Sequence, residues 1–166
     1  MIILGVDPGY RNLGLSVVEF NDEGKQMRVL ESKNMTVGKA SAPLTFTKFL
    51  WPELERLHKA HKIDGVASET PPFIMGQIRT TAFLWAVSSI IVAWAYVKGL
   101  AFRHASPIAL KRGVCAVLEL PWNRKYIPKK KDVKRAVERL AGEPLTTSHE
   151  NDAAFAAALM FSNLVP

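Results

Sequence analysis

Apolar residues fall into short β-branched runs early in the chain and into helix-spaced sets later. Ile2, Ile3, Leu4 and Val6 form the first run, closed by Pro8-Gly9, which predicts a buried strand ending at a turn with Asp7 as its last residue. Leu13 to Phe20 predicts a second strand and Lys25 to Val37 a third, with a turn at Asn21-Asp22-Glu23-Gly24, so the three make an antiparallel meander. Ala42-Pro43 opens a helix with Phe46, Leu50, Leu54 and Leu57 on one face; Pro52 inside it is expected to kink or split it. Ile63 to Ser68 predicts a short fourth strand that ends at Glu69, followed by a Thr70-Pro71-Pro72 loop. A long apolar helix is expected from Met75 or Gly76 to about Lys98, then a small strand over Leu100 to Arg103. Ser106-Pro107 reads as an N-cap and first helical position for a helix to about Leu118. After a loop over Pro121 to Pro128, Lys129 to Leu140 predicts a basic helix stopped by Gly142 and Pro144. Thr147 and Glu150 have capping-box spacing for a last helix from His149 to about Asn163. With no internal repeat or linker, the reading is one α/β domain over 1–166.

Composition narrows the class. At 48% hydrophobic and 22% charged, the 166 residues are those of a globular chain. The lone Cys115 forbids an internal disulfide and points to a reducing compartment, and no secretory signal is expected at the N-terminus. The Thr80 to Val97 stretch carries Thr80, Thr81, Ser88 and Ser89 and reads as a buried or dimer-facing helix, not as a membrane span. Net charge is +7, and it is localised: Arg103 to Arg139 holds eleven Lys or Arg against three acids, a balance of +8, while the rest of the chain carries −1. Such a distribution suits a polyanionic partner, nucleic acid foremost; the plainer alternative is a solvated basic face.

Four titratable groups stand out by position. Asp7 and Glu69 end two predicted strands; His149 and Asp152, three apart, share a face of the last helix. Each has an ordinary reading. Asp7-Pro8-Gly9 is a common turn, Glu69 can end a strand in solvent, His149 can be a surface residue, and the helix dipole favours Asp152 near a helix start. If the strands are neighbours and the helix packs beside them, the four converge. Two carboxylates about 4 Å apart repel by roughly 4 kcal/mol at an effective dielectric near 20, which cations would relieve. Oxygen-rich sites take Mg²⁺ or Mn²⁺, and paired ions suit displacement at phosphorus.

The motifs I-L-G-V-D-P-G-Y-R-N-L-G around Asp7, V-A-S-E around Glu69 and S-H-E-N-D-A-A-F-A-A-A-L around His149 and Asp152 occur in an order that resembles the RuvC-type Holliday junction resolvases of the RNase H-like superfamily. The resemblance implies a mixed five-stranded sheet, antiparallel meander plus parallel strands, flanked by helices on both sides. It implies that Asp7, Glu69, His149 and Asp152 are catalytic metal ligands for two Mg²⁺ or Mn²⁺ ions. It further implies a dimeric, structure-selective endonuclease that cuts four-way DNA junctions by symmetric paired nicks, in recombination and repair or in phage DNA debranching. Phe73 matches an aromatic wedge after the Glu; Lys111, Arg112, Lys129, Lys130, Lys131 and Lys134 fall where the resemblance places DNA contacts. The homodimer is expected through the 76–98 helix, and the location is the cytoplasm of a bacterial cell or a phage-infected host. Other readings are an RNase H-like nuclease with broader branched-DNA or RNA substrates, and a non-catalytic junction-binding module. An actin-like ATPase shares the Asp-x-Gly turn but needs a second copy, absent from this chain.

Many members of that family carry Asp where this chain has His149. An imidazole suits transition metals better than Mg²⁺. The expected outcome is that Mn²⁺ supports junction cleavage at least as well as Mg²⁺; initial rates in matched metal titrations check it, and a strict Mg²⁺ preference counts against it.

Overall fold

A computed structural model of the chain describes residues 1–9, 12–21, 26–36, 43–122, 127–142, 145 and 147–161. The expected turn at 22–24, the middle of the 121–128 loop (123–126), Pro144 and the end of the last helix beyond 161 lie outside the described residues. Strands β1 (Ile2–Asp7), β2 (Asn12–Phe20) and β3 (Met27–Thr36) form the meander, and β4 (Gly65–Glu69) and β5 (Ala101–Ala105) extend it in parallel from β1. The sheet order is β3-β2-β1-β4-β5. This is the mixed five-stranded sheet expected from the sequence, with helices on both faces.

Strand alternation sorts the core into two layers. Leu4, Val6, Leu13, Leu15, Val17 and Val66 face helices α1 (Pro43–His61) and α2 (Ile78–Val97), where Leu50, Leu54, Val87, Ile91 and Trp94 meet them. Ile3, Val18, Phe20 and Ala67 face the other side, covered by α3 (Pro107–Val117), α4 (Lys130–Ala141) and α5 (Ser148–Phe161). Asp7 is two steps on from Gly5 and four from Ile3, and Glu69 two steps on from Ala67, so period-2 alternation assigns both acids to the α5 side. The parallel register Val6↔Ser68 makes Asp7 and Glu69 the next pair along.

Helix α5 lies unusually close to the sheet. Ala153, Ala154, Ala156 and Ala157 are fully buried in it. Opposite them are glycines: a Cβ on Gly5 would strike the backbone carbonyl of Ala153, and one on Gly14 would strike that of His149. Neither obstacle is a side chain that can swing away.

Two expectations need correction. Pro52 does not split its helix: α1 runs unbroken from Pro43 to His61. Pro52 and Lys48, whose carbonyl loses the usual partner, are both on the exposed face, where water can take the missing bond. The long helix begins at Ile78, not at Met75 or Gly76, because Gly76 adopts a left-handed φ of 76° and the Thr81 hydroxyl accepts a hydrogen bond from the Ile74 N–H at 3.1 Å, folding the preceding residues into a turn. Helix α2 is long and apolar enough to cross a membrane, but Phe83, Val87, Ile91 and Trp94 are core residues, and the Trp94 indole donates to Glu55 Oε1 at 3.0 Å.

Gly5→Ala and Gly14→Ala are each expected to destabilise the protein by roughly 2–4 kcal/mol through overpacking against backbone. Urea unfolding monitored by circular dichroism checks this, with Gly142→Ala, at an open helix C-cap where only the left-handed backbone is strained, as the milder control.

Candidate active site

The start of α5 is held on three sides. The Glu150 N–H donates to Thr147 Oγ1 at 3.2 Å and the Thr147 N–H donates to Glu150 Oε2 at 2.9 Å, the reciprocal capping box expected from the sequence. The buried Ser16 hydroxyl on β2 donates to the Glu150 carbonyl at 2.9 Å. The Asn151 side-chain amide donates to the Leu145 and Thr147 carbonyls at 3.1 and 2.5 Å. These bonds fix the first turn of the helix against the sheet and aim its imidazole: His149 Nδ1 lies 2.5 Å from Asp7 Oδ2. The turn after β1 closes the same corner, where the Gly9 N–H donates to the Asp7 carbonyl at 3.0 Å.

The electrostatics are those of acids that share one corner. Glu69 is pushed up to about 7, first by burial and then by the charges of Asp7 and Asp152, against the opposing pull of Lys111. Asp152 is pushed up to about 6, again by burial first and Asp7 second, with Lys130 and His149 pulling it down. His149 is raised by its hydrogen bond to Asp7, burial opposing. Two lysines on two helices therefore act on the group: Lys111 of α3 on Glu69, and Lys130 of α4 on His149 and Asp152.

All six candidate DNA-contact residues, Lys111, Arg112, Lys129, Lys130, Lys131 and Lys134, are exposed. The Arg112 guanidinium stacks over Trp122 at 5.5 Å from the ring centroid. Lys129 also serves the fold, its N–H donating at 2.8 Å to the buried Asp132 carboxylate at the start of α4. Phe73 is 77% exposed in the β4–α2 connection, so it does not cap the core. What the sequence reading missed is the cleft beside the acids, about 290 Å³, running from Asp7 and Glu69 along Thr70, Pro71 and Ile74 to Thr80 and Leu84 of α2. The double proline marked the segment as a loop; nothing in the residue order paired it with the second turn of a helix.

Three carboxylates and an imidazole are a donor set for Mg²⁺ or Mn²⁺. Among the described residues, no three such groups yet stand at the spacing of ligands around one ion. The raised Glu69 and Asp152 are what carboxylates show when they share a half-buried corner, and positive charge between them would reverse the shift. The chemistry of the set fits the cation; its geometry in this structure is that of the His149–Asp7 pair.

No protein-family model matches the chain. Among curated proteins, the crossover junction endodeoxyribonuclease RuvC of Alkaliphilus oremlandii (strain OhILAs) is 28% identical over 114 residues, 69% of this chain and 68% of that protein. Among solved structures, T. thermophilus RuvC in complex with Holliday junction substrate superposes with a TM-score of 0.78 at 19% identity, covering 96% of this chain and 92% of that one. The fold is that of RuvC. The yeast mitochondrial Holliday junction resolvase Ydc2 shares it more distantly, with a TM-score of 0.67 at 12% identity over 95% of this chain and 77% of that one. The RuvC-type resemblance drawn from the three motifs, and the RNase H-like sheet it implied, are both borne out.

The shifts in this site carry a pH dependence. Glu69, Asp152 and His149 all bind protons more tightly folded than unfolded, so their contribution to stability is full below the unfolded carboxyl range near pH 4 and is lost as pH rises through about 6 for Asp152 and about 7 for Glu69. Metal-free protein is expected to melt at lower temperature at pH 8 than at pH 5. Glu69→Gln is expected to flatten that slope and to raise stability at pH 8 by about 1–3 kcal/mol. Differential scanning calorimetry in a chelating buffer checks both.

Proposed function

We propose that the chain is a metal-dependent, structure-selective endonuclease that binds four-way DNA junctions and resolves them by paired nicks. The observation that carries this reading is the meeting of Asp7 and Glu69 at the ends of adjacent parallel strands with His149 and Asp152 of α5, on a sheet with the RuvC fold. Similarity to proteins described as RuvC and as Holliday junction resolvases supports the substrate.

Asp7, Glu69, His149 and Asp152 would hold two Mg²⁺ or Mn²⁺ ions, which would supply water activation and relief of charge at the phosphate. The protein's own residues do the rest. His149 and the capped start of α5 orient the Asp7 carboxylate. Lys111 and Lys130 flank the acids from two helices and would engage the phosphodiester, while Arg112, Lys129, Lys131 and Lys134 extend the basic surface along α3 and α4, which would take the backbone of the arms. Phe73, exposed on the loop beside the cleft, is suited to insert at the crossover, where stacking is already broken.

A dimer is part of the same reading. Helix α2 buries one face in the core and leaves Ile78, Trp85, Val92 and Tyr96 on the other, one stripe over five turns. A second copy related by a two-fold axis would cover that stripe and set two sites against a substrate that needs two cuts. A location in the cytoplasm of a bacterial cell or phage-infected host, and a single domain over 1–166, complete the proposal.

Wild-type protein is expected to place symmetric paired nicks in a labelled synthetic four-way junction with Mg²⁺ or Mn²⁺, and to leave linear duplex of the same sequence uncut. Asp7→Asn and Glu69→Gln are expected to lower the rate by about 10³-fold or more while retaining junction binding. Denaturing gels and mobility-shift titrations read the two effects separately. Tight binding with no cutting in either metal would favour a binding module, and equal cutting of forks and flaps a general debranching nuclease.

A further inference from the structure

The arginines on the basic side of the protein are not equivalent. Arg103 donates to the Met160 carbonyl at 2.7 Å, Arg135 lies 3.9 Å from the Asp132 carboxylate, and Arg139 donates to Glu119. Among the described residues, Arg112 makes no ion pair. Its guanidinium carbon instead sits 5.5 Å from the centre of the Trp122 ring, and both residues are exposed. The difference matters for what each arginine can still bind. A carboxylate or carbonyl partner occupies N–H donors of the fork. An aromatic face attracts the cation as a whole and takes none of them. Arg112 is thus restrained and keeps its donors.

The chain is built to bring this ring back to the helix. After α3, the Glu119 N–H donates to the Ala116 carbonyl at 3.2 Å and the Leu120 N–H to the Cys115 carbonyl at 2.8 Å, the paired bonds of a Schellman turn. Glu119 occupies its left-handed position with φ 55°, where glycine is usual. The strain of a side chain there is accepted, and the same carboxylate takes a hydrogen bond from Arg139 on α4. The turn reverses the chain, and Trp122 meets a residue one to three turns back on α3. Lys111, one position before Arg112, acts on Glu69. A step of one residue turns roughly 100° around a helix, so Arg112 faces away from the acids.

We propose that Trp122 is a positioning residue, holding the Arg112 guanidinium for a two-pronged grip on one backbone phosphate of a junction arm, outside the bond being cut. The proposal rests on the nuclease reading above, which supplies the DNA. An ammonium group is a point charge and accepts a phosphate from many directions. A guanidinium fork held by a ring accepts it from one. An arginine restrained beforehand also loses less rotamer freedom on binding. The exposed lysines of α3 and α4 would supply attraction without direction, and Arg112 the register of the arm.

The test uses the full-length protein and a labelled four-way junction. Binding is measured by mobility shift in chelator over a salt series, and cutting with Mn²⁺. Arg112→Ala is expected to weaken binding about tenfold and to lower the slope of log affinity against log salt by about one. Trp122→Ala is expected to weaken it about fivefold, and the double variant to be no weaker than Arg112→Ala alone. Trp122→Phe, which keeps a ring face, is expected to bind within about twofold of wild type. Arg112→Lys, which keeps the charge and loses the fork, is expected to match Trp122→Ala, and carries the comparison if that variant folds poorly. In cutting assays the half-saturating junction concentration is expected to rise by the same factors, with the rate at saturation unchanged. Losses that multiply in the double variant mean that Trp122 meets DNA on its own, and overturn the proposal. So do Trp122→Ala or Arg112→Lys proteins that bind as wild type, or a Trp122→Phe protein as weak as Trp122→Ala. Each of these leaves the nuclease reading standing. Wild-type protein that neither binds nor cuts the junction overturns that reading and this one with it.

Discussion

The closeness of α5 to the sheet is the constraint on which the site depends. Two glycines on neighbouring strands, Gly5 and Gly14, leave room for the backbone of the helix, and four alanines let it settle there. A helix held off by ordinary side chains packs about 10 Å from its neighbour. At that distance a short Asp at a strand end and an imidazole on the first turn of the helix would not meet. Here they do, at 2.5 Å. The capping box, the Ser16 hydroxyl and the Asn151 amide then fix rotation and register, so that the turn carrying His149 and Asp152 is the one facing Asp7.

That packing has an electrostatic consequence. Bringing Glu69 and Asp152 into a half-buried corner with Asp7 raises both, burial acting first and the neighbouring charge second. Such a corner works against the fold at neutral pH, and hydrophobic burial elsewhere has to offset it. The compensation is visible in the layers. The core on the α1–α2 side is rich in large side chains, Trp94, Ile91, Leu50 and Leu54 among them, whereas the buried apolar residues of α5 itself are alanines with one large anchor, Phe155. Stability and chemistry are divided between the two faces of one sheet.

Much of this was legible in the residue order. Strong local signals survived: the Ile2–Val6 run before Pro8-Gly9, the Ser106-Pro107 cap, whose hydroxyl accepts from the Ala109 N–H at 3.1 Å, and the Thr147–Glu150 box. Convergence of Asp7 and Glu69 followed from period-2 alternation once β1 and β4 were neighbours. What escaped was set by tertiary surroundings. Pro52 is tolerated because it faces water, a property of the helix's orientation and not of its sequence. The late start of α2 depends on a hydroxyl seven residues downstream of the residue it holds, Thr81 on Ile74. The cleft joins a loop to a helix wall, and the direct His149–Asp7 bond needs the glycine contacts that no single segment announces.

The placement of positive charge follows from the same geometry. Of the basic residues concentrated between Arg103 and Arg139, those on α3 and α4 sit beside α5, on the face of the sheet to which the acids point. Lys111 and Lys130 reach the acids electrostatically, yet both carboxyls remain raised, so the lysines do not neutralise the corner. They are exposed, and solvent weakens their pull across the gap. A corner whose own cations cannot settle it keeps an affinity for charge from outside, which a bound divalent cation would supply. On the proposed reading, the acids would set the demand for cations and the lysines the demand for phosphate, and a phosphodiester at the cleft mouth would meet both.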